Sequence, residues 1–182
     1  RVMKHCFQNN FEDLQVENAG WSFRDDLLNA IAAWPILDDG SGNHVWVGGD
    51  DLRAAWAGSP PYDYVISFRM KAKELDSELY FIFRNKQHPD ETYGYYFSTE
   101  SGLLSKEPPG TNLARADQII KDLIWHDLVI SAIGEQINIS MDGETVLQVV
   151  DNAPFTQGWI EFQSRRGQIW YDDILICSLA GQ

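Results

Sequence analysis

Positive charge is scarce in this chain of 182 residues: 14 Lys and Arg stand against 27 Asp and Glu, a formal charge of −13. A phosphate backbone or an anionic lipid surface would be repelled by such a molecule, so nucleic-acid and membrane-surface partners are not expected. Bound cations and neutral polyols are compatible with the acidity, as is solubility alone. Apolar runs are short, and none approaches the roughly 18 residues of a membrane-spanning helix, so no membrane insertion is expected. Residues 1–10 lack the apolar stretch and small-residue site of a secretory leader, so they read as the start of a processed chain or of one domain in a longer protein. Cysteine is nearly missing. Cys6 and Cys177, one near each end, have no Cys-x-x-Cys spacing for zinc or redox work. They form a disulfide if the terminal strands lie side by side, and remain two thiols otherwise. His5, His44, His88 and His126 are scattered without metal-ligand spacing, and no serine or cysteine nucleophile constellation is present.

Long amphipathic helical patterns are also missing, which argues against a parallel α/β sheet. What fills the chain instead is alternation. Tyr64, Ile66, Phe68 and Met70 alternate with Val65, Ser67, Arg69 and Lys71, and Leu79, Phe81 and Phe83 alternate with Tyr80, Ile82 and Arg84. Period two over such runs marks half-buried strands. An opening strand is expected over 7–16, a second over 21–28, and an aromatic one at 93–97. A hairpin is expected from 125–133 and 136–141, with Asp142-Gly143 as a tight turn into 145–150. Residues 37–49 read as a loop holding a short strand at 45–47, residues 50–57 as one or two helical turns, and residues 114–123 as a loop with one helical turn. The last long run, 158–176, reads as a hairpin across Arg166-Gly167. Ten or more strands, little helix and no linker predict one all-β domain over 1–182, a two-sheet antiparallel sandwich or jelly roll.

The ordered landmarks Phe11-Glu12-Asp13, Trp21-Ser22-Phe23, Tyr62-Asp63-Tyr64-Val65, Phe81-Ile82-Phe83-Arg84, Tyr93-Gly94-Tyr95, Trp125, Met141-Asp142-Gly143, Gly158-Trp159-Ile160 and Tyr171-Asp172-Asp173-Ile174 give the chain a family likeness. It resembles the concanavalin A-like, laminin-G-like jelly rolls, especially family 66 carbohydrate-binding modules and 3-keto-disaccharide hydrolase domains. The resemblance implies two curved sheets with a sugar-binding concave face, in a module of a larger extracellular or cell-surface protein.

If Ile160 and Phe162 face the core, Trp159, Glu161, Gln163 and Arg165 face away from it, as do Tyr80 and Arg84 on the earlier strand. Guanidinium forks and amides suit pairs of hydroxyls. Arg84 is therefore expected to hold sugar hydroxyls with help from Glu161, Gln163 and Arg165, with Tyr80 beside them and Tyr93 and Tyr95 as the stacking floor. The resemblance also places Arg84 on the ligand face, and it implies a structural calcium on the opposite side with Asp172 as a ligand. Calcium takes six to eight oxygens, so carbonyls near 11–13 and Gly40 would have to contribute.

Glu74, Asp76 and Glu78 alternate like the acidic set of family 16 glycosidases, but Ser77 departs from that pattern. The run also falls between two strands, where a solvated turn is the better reading. The expected function is non-catalytic glycan binding. A glycoside hydrolase or lyase is the alternative, and an adhesion or protein-interaction domain is the third reading, which an apolar patch around Trp46 and Trp56 would favour.

Overall fold

The computed structural model describes residues 3–13, 20–25, 29–49, 51–58, 62–88, 91–117, 119–120 and 122–179. Fifteen strands form two antiparallel sheets, and no helix occurs among the described residues. One sheet has eight strands: β1 (Met3–Asn9), β3 (Ile36–Asp38), β4 (His44–Gly48), β6 (Tyr64–Ala72), β11 (His126–Ile133), β12 (Gln136–Met141), β13 (Glu144–Val150) and β15 (Ile169–Leu179). Its order is β13-β12-β11-β6-β15-β4-β3, with β1 also paired to β15. The other sheet has seven: β2 (Trp21–Arg24), β5 (Arg53–Trp56), β7 (Glu78–His88), β8 (Glu91–Ser98), β9 (Leu103–Glu107), β10 (Thr111–Arg115) and β14 (Trp159–Arg165). Its order is β10-β9-β8-β7-β14-β5-β2.

Alternating apolar side chains close the sandwich. Tyr64, Ile66, Phe68 and Met70 of β6 face Leu79, Phe81 and Phe83 of β7 and Ile160 and Phe162 of β14, all buried. Rings dominate one end: Trp46 packs against Trp21, Trp34 and Phe11 at centroid distances of 4.8, 4.6 and 5.3 Å. Trp46 is thus core and offers no surface patch, and Trp56 packs against Phe7.

The expected hairpin of β11 and β12 is present, and Asp142 and Gly143 turn into β13 with positive φ at both residues. Other expectations fail. Residues 53–56 form β5 in place of a helical turn, and 36–38 form β3, which overlaps the start of the expected loop. Residues 111–115 form β10, and the described part of 114–123 contains no helical turn. The expected opening strand is β1, which ends at Asn9; residues 14–16 of that reading and 26–28 of the second lie outside the described residues.

The largest correction concerns 158–176. β14 and β15 are not a hairpin pair. They lie in opposite sheets and face each other across the core, joined by a turn at Arg166-Gly167. β6 and β7 are split between the sheets in the same way, across the turn at 73–77. Alternation records that each strand has one apolar side, and this is equally true of two strands sharing one sheet and of two apposed across a core. Glu74 ties the two crossovers together, its Oε2 accepting from Ser77 Oγ at 2.9 Å and from the Gln168 N–H at 2.9 Å. The expected turn around Glu74 and Asp76 is therefore present.

The first and last strands meet. Cys6 of β1 is opposite Cys177 of β15, and the two form a disulfide closing a separation of 171 residues. A loop of that size corresponds to about 5 kcal/mol in the chain-entropy picture.

Candidate functional site

Strand registers place the side chains of the seven-stranded sheet's outer face in rows. One row runs Arg24, Arg53, Gln163, Tyr80, Ser98 across β2, β5, β14, β7 and β8. The next runs Ser22, Ala55, Glu161, Ile82, Tyr96, Ser105, Asn112 across all seven strands. Over these rows lies an open groove of about 360 Å³. Tyr80 and Tyr96 supply aromatic surface. Arg53, Gln163 and Arg165 line one side, and Ser105 and Glu107 the other.

The groove's cations are held in place. Arg165 Nε donates to Asp51 Oδ1 at 3.1 Å, and its guanidinium lies 4.8 Å from the centre of the Tyr80 ring. Burial works against its charge, but the bond to Asp51 together with the charges of Tyr80, Glu78 and Asp51 prevails and raises its pKa. Gln163 Nε2 donates to the Asp51 carbonyl at 3.3 Å. Burial, helped by the charge of Glu78, pushes the Tyr80 hydroxyl up, so it stays a neutral donor and acceptor. Beneath, the buried Glu161 accepts from Arg24 Nη2 and from Asn85 Nδ2 at 2.8 Å, with Arg53 Nη1 3.8 Å from its other oxygen. Glu161 thus faces outward as expected, yet it anchors donors and is itself sealed. Glu78, the residue tested against the glycosidase pattern, is also sealed, and it accepts from Ser98 Oγ.

Three sequence-predicted sugar ligands lie elsewhere. Arg84 is fully buried between the sheets, its Nη1 donating to the Gly134 carbonyl at 2.9 Å and its Nη2 to the Tyr62 carbonyl at 3.1 Å. Asp63 lies 3.8 Å from the same Nη2. The cause is a β-bulge: Phe83 pairs with Tyr95 and Lys86 with Tyr93, leaving Arg84 and Asn85 together opposite Gly94. Arg84 takes φ 48°, which turns its side chain inward beside Phe83 and hands the outward position to Asn85. Gly158 makes the bulge possible, since a Cβ there would fall 2.2 Å from the Arg84 carbonyl carbon.

Tyr95 is likewise core. Its ring stacks on Phe83 at 5.2 Å, and its hydroxyl donates to Asp151 at 2.7 Å. Tyr93 shares that parity and meets Phe155 edge-on at 6.3 Å, so it does not floor the groove. Phe97 held the signal: an apolar residue two after Tyr95 puts both inside and Tyr96 outside. Of the sequence-predicted ligands, the structure brings Tyr80, Gln163 and Arg165 together on the outer face, with Glu161 beneath. Arg24, Arg53, Asn85, Tyr96, Ser105 and Glu107 join them without having been singled out.

Asp172 lies buried on the far side of the eight-stranded sheet. A second bulge, with Asp173 at φ 48°, lets Ile169 and Tyr171 and then Ile174 and Ile176 all face the core. Asp172 Oδ2 accepts from Asn43 Nδ2 at 3.0 Å, Oδ1 accepts from the Asp173 N–H at 2.7 Å, and Arg69 Nη1 lies 3.8 Å away. Burial raises its pKa against these donors. The hard oxygen suits calcium in kind, but the donor set is short in number and Asp172's own oxygens are engaged by Asn43 and the Asp173 N–H. Among the described residues no group of three acidic, histidine or cysteine side chains is placed to hold a metal.

Comparison with known proteins places the fold. The family 66 carbohydrate-binding module from Bacillus subtilis matches with a TM-score of 0.62 at 14% identity, over 87% of this chain and 96% of that one. The β-glucanase of Bacillus licheniformis matches at 0.66 and 11% identity, over 97% and 99%. Domain 4 of the extracellular GH43 arabinanase AbnA from Geobacillus stearothermophilus, in complex with arabinotriose, matches at 0.65 and 13% identity, over 100% and 96%. No curated protein matches in sequence. The jelly-roll sandwich read from the alternation is the fold found. The model of one family matches residues 17–177, and the chain belongs to it: the 3-keto-alpha-glucoside-1,2-lyase-like domains.

Proposed function

We propose that the outer groove of the seven-stranded sheet binds a neutral glycan without transforming it. The observation that carries this reading is the convergence of Tyr80 and Tyr96 with Arg53, Gln163, Arg165, Ser105 and Glu107 over one hollow of about 360 Å³. Two rings offer apolar faces to the C–H side of a sugar, and the amide, guanidinium, hydroxyl and carboxylate groups fix its hydroxyls. Neutrality follows from the charges: Arg165 faces Asp51, and Arg24 and Arg53 face Glu161, so no unbalanced cation awaits an acidic sugar. The second hollow, about 320 Å³ and lined by Ile31, Ala32, Ala33, Pro35 and Leu52 among others, is largely apolar and lacks such convergence. Calorimetric titration should give saturable sugar binding while reducing-sugar release stays flat. Release that depends on this chain overturns the reading.

One observation favours a lyase or hydrolase instead: the family description names a lyase of 3-keto-alpha-glucosides. A ketone acidifies the neighbouring C–H, so elimination needs a free carboxylate or similar base in the groove. Glu161 and Glu78 are sealed, which leaves Glu107 for that role. Consumption of a 3-keto-glucoside that Glu107→Gln abolishes would establish this second reading.

Calcium on Asp172 is a separate proposal, with carbonyls of the 40–43 loop and water supplying the remaining oxygens. A chelator should lower the melting temperature, and an unchanged temperature removes the ion. An extracellular or cell-surface place in a larger protein is proposed as well. It is supported by the Cys6–Cys177 disulfide, which persists in oxidising compartments, and by the likeness to a domain of a secreted arabinanase.

A further inference from the structure

We infer that Trp159 forms a second stacking subsite in line with the groove, so that the ligand is an oligosaccharide chain lying along β14 and not a single sugar or disaccharide. The inference rests on the proposed sugar-binding reading and adds the length and direction of the ligand. Of the seven tryptophans, Trp159 is the most exposed, at 44%. An indole is among the most expensive side chains to leave in water, and β14 exposes this one on its polar side.

Its position gives the exposure a meaning. Trp159, Glu161, Gln163 and Arg165 are alternate residues of one strand, and they form a straight row on the outer face. At about 3.3 Å per residue that row is roughly 20 Å long. Arg165 and Gln163, at one end, line the groove with Tyr80. Trp159 stands at the other end. A polar cluster lies between them: the Arg24 guanidinium is 5.7 Å from the Trp159 ring centre and bonds Glu161, which also accepts from Asn85 and has Arg53 of the groove lining 3.8 Å away. An extended sugar chain over this row meets an aromatic face at each end and the partly exposed guanidinium groups of Arg24 and Arg53 beside it.

A second feature points the same way. Asn85 is the register partner of Trp159 and only 1% exposed, yet its Oδ1 has no hydrogen-bond partner among the described residues. Arg24 Nε is likewise without one. Unpaired buried polar atoms are rare and ask for a cause, and these two belong to residues that both bond Glu161 beside Trp159. Both atoms are covered here, so a sugar hydroxyl beside Trp159 pairs with them only as the neighbouring side chains give way.

The test is calorimetric titration of the intact chain with arabino-, xylo-, β-gluco- and fructo-oligosaccharides of two to six units. Within the ladder that binds, affinity should climb with length. Trp159→Ala should bring the longer members down to the affinity of the dimer, about a tenfold loss or more, and Trp159→Phe should restore most of it. Equal affinity at all lengths overturns the subsite while leaving the groove's function standing, as does a Trp159→Ala variant that binds long chains like the parent. An equal loss at every length would mean that Trp159 acts through the fold, and it also overturns the subsite. Absence of binding across every ladder removes the sugar-binding reading and the subsite with it.

Discussion

Arg84 on β7 and Arg165 on the neighbouring β14 both sit at positions where alternation points outward. Arg84 ends sealed between the sheets, donating to the Tyr62 and Gly134 carbonyls. Arg165 ends over the Tyr80 ring, bonded to Asp51 at the rim of the groove. The difference lies in one inserted residue. β14 alternates without interruption, so Arg165 keeps its parity, whereas the bulge at Arg84 and Asn85 reverses parity for the rest of β7. What one arginine does for stability the other does for the surface, and the two can be separated by mutation.

Arg84→Met should have the largest effect. It leaves two carbonyls and the Asp63 carboxylate buried without their cation, a situation that costs about 3–5 kcal/mol. Urea denaturation should show that loss, and a midpoint within experimental error of the parent would place Arg84 outside the interior. Arg165→Ala should do the opposite. Its ion pair with Asp51 is partly exposed, so stability should change by about 1 kcal/mol or less. Glycan affinity should drop about tenfold. Equal stability losses for the two variants would erase the distinction between strut and surface.

The smallest effect belongs to a charged cluster remote from both arginines. His126 bonds Asp142 at 2.8 Å and Asp122 at 2.9 Å. Burial disfavours its charge, but the bonds and charges of the two carboxylates prevail and raise its pKa above 6.5. The same contacts lower Asp122 and Asp142. A histidine raised on folding stabilises fully below its unfolded pKa of about 6.5, and that contribution fades as pH rises through the higher folded value. Carboxylates lowered on folding contribute above their unfolded pKa of about 3.9 and lose it as pH falls. The cluster should therefore add most between about pH 4 and 6.5. His126→Gln should flatten the alkaline limb of a melting-temperature profile, and an unaltered limb would show that the ring carries no such charge.

These contrasts also mark what the sequence made legible. β6, β11 and β12 could be read because their alternation runs unbroken, and β13 because Asp142-Gly143 admits the positive φ of a tight turn. Period two has no way to announce a bulge, so it puts Arg84 on the wrong face and misses that the two sides of β15 exchange partway along the strand at Asp173, whereas the inward side of Tyr95 is legible from Phe97. Nor does it say which sheet a strand joins, so β14 and β15 resembled a hairpin. β3 and β5 are too short to show a period. The disulfide depended on β1 lying against β15, a contact between the first and last strands that no local pattern encodes. Gln163, Arg165 and Tyr80 were legible because apolar neighbours at Phe162 and Phe81 fixed their parity on both sides.

The most direct measurement is a crystal structure of the protein soaked with the oligosaccharide it binds best. Sugar density should lie over Tyr80 and Tyr96, with hydroxyls on Gln163 and Arg165. Density confined to the apolar hollow beside Ala32 and Leu52, or contacting none of these four side chains, would contradict the account.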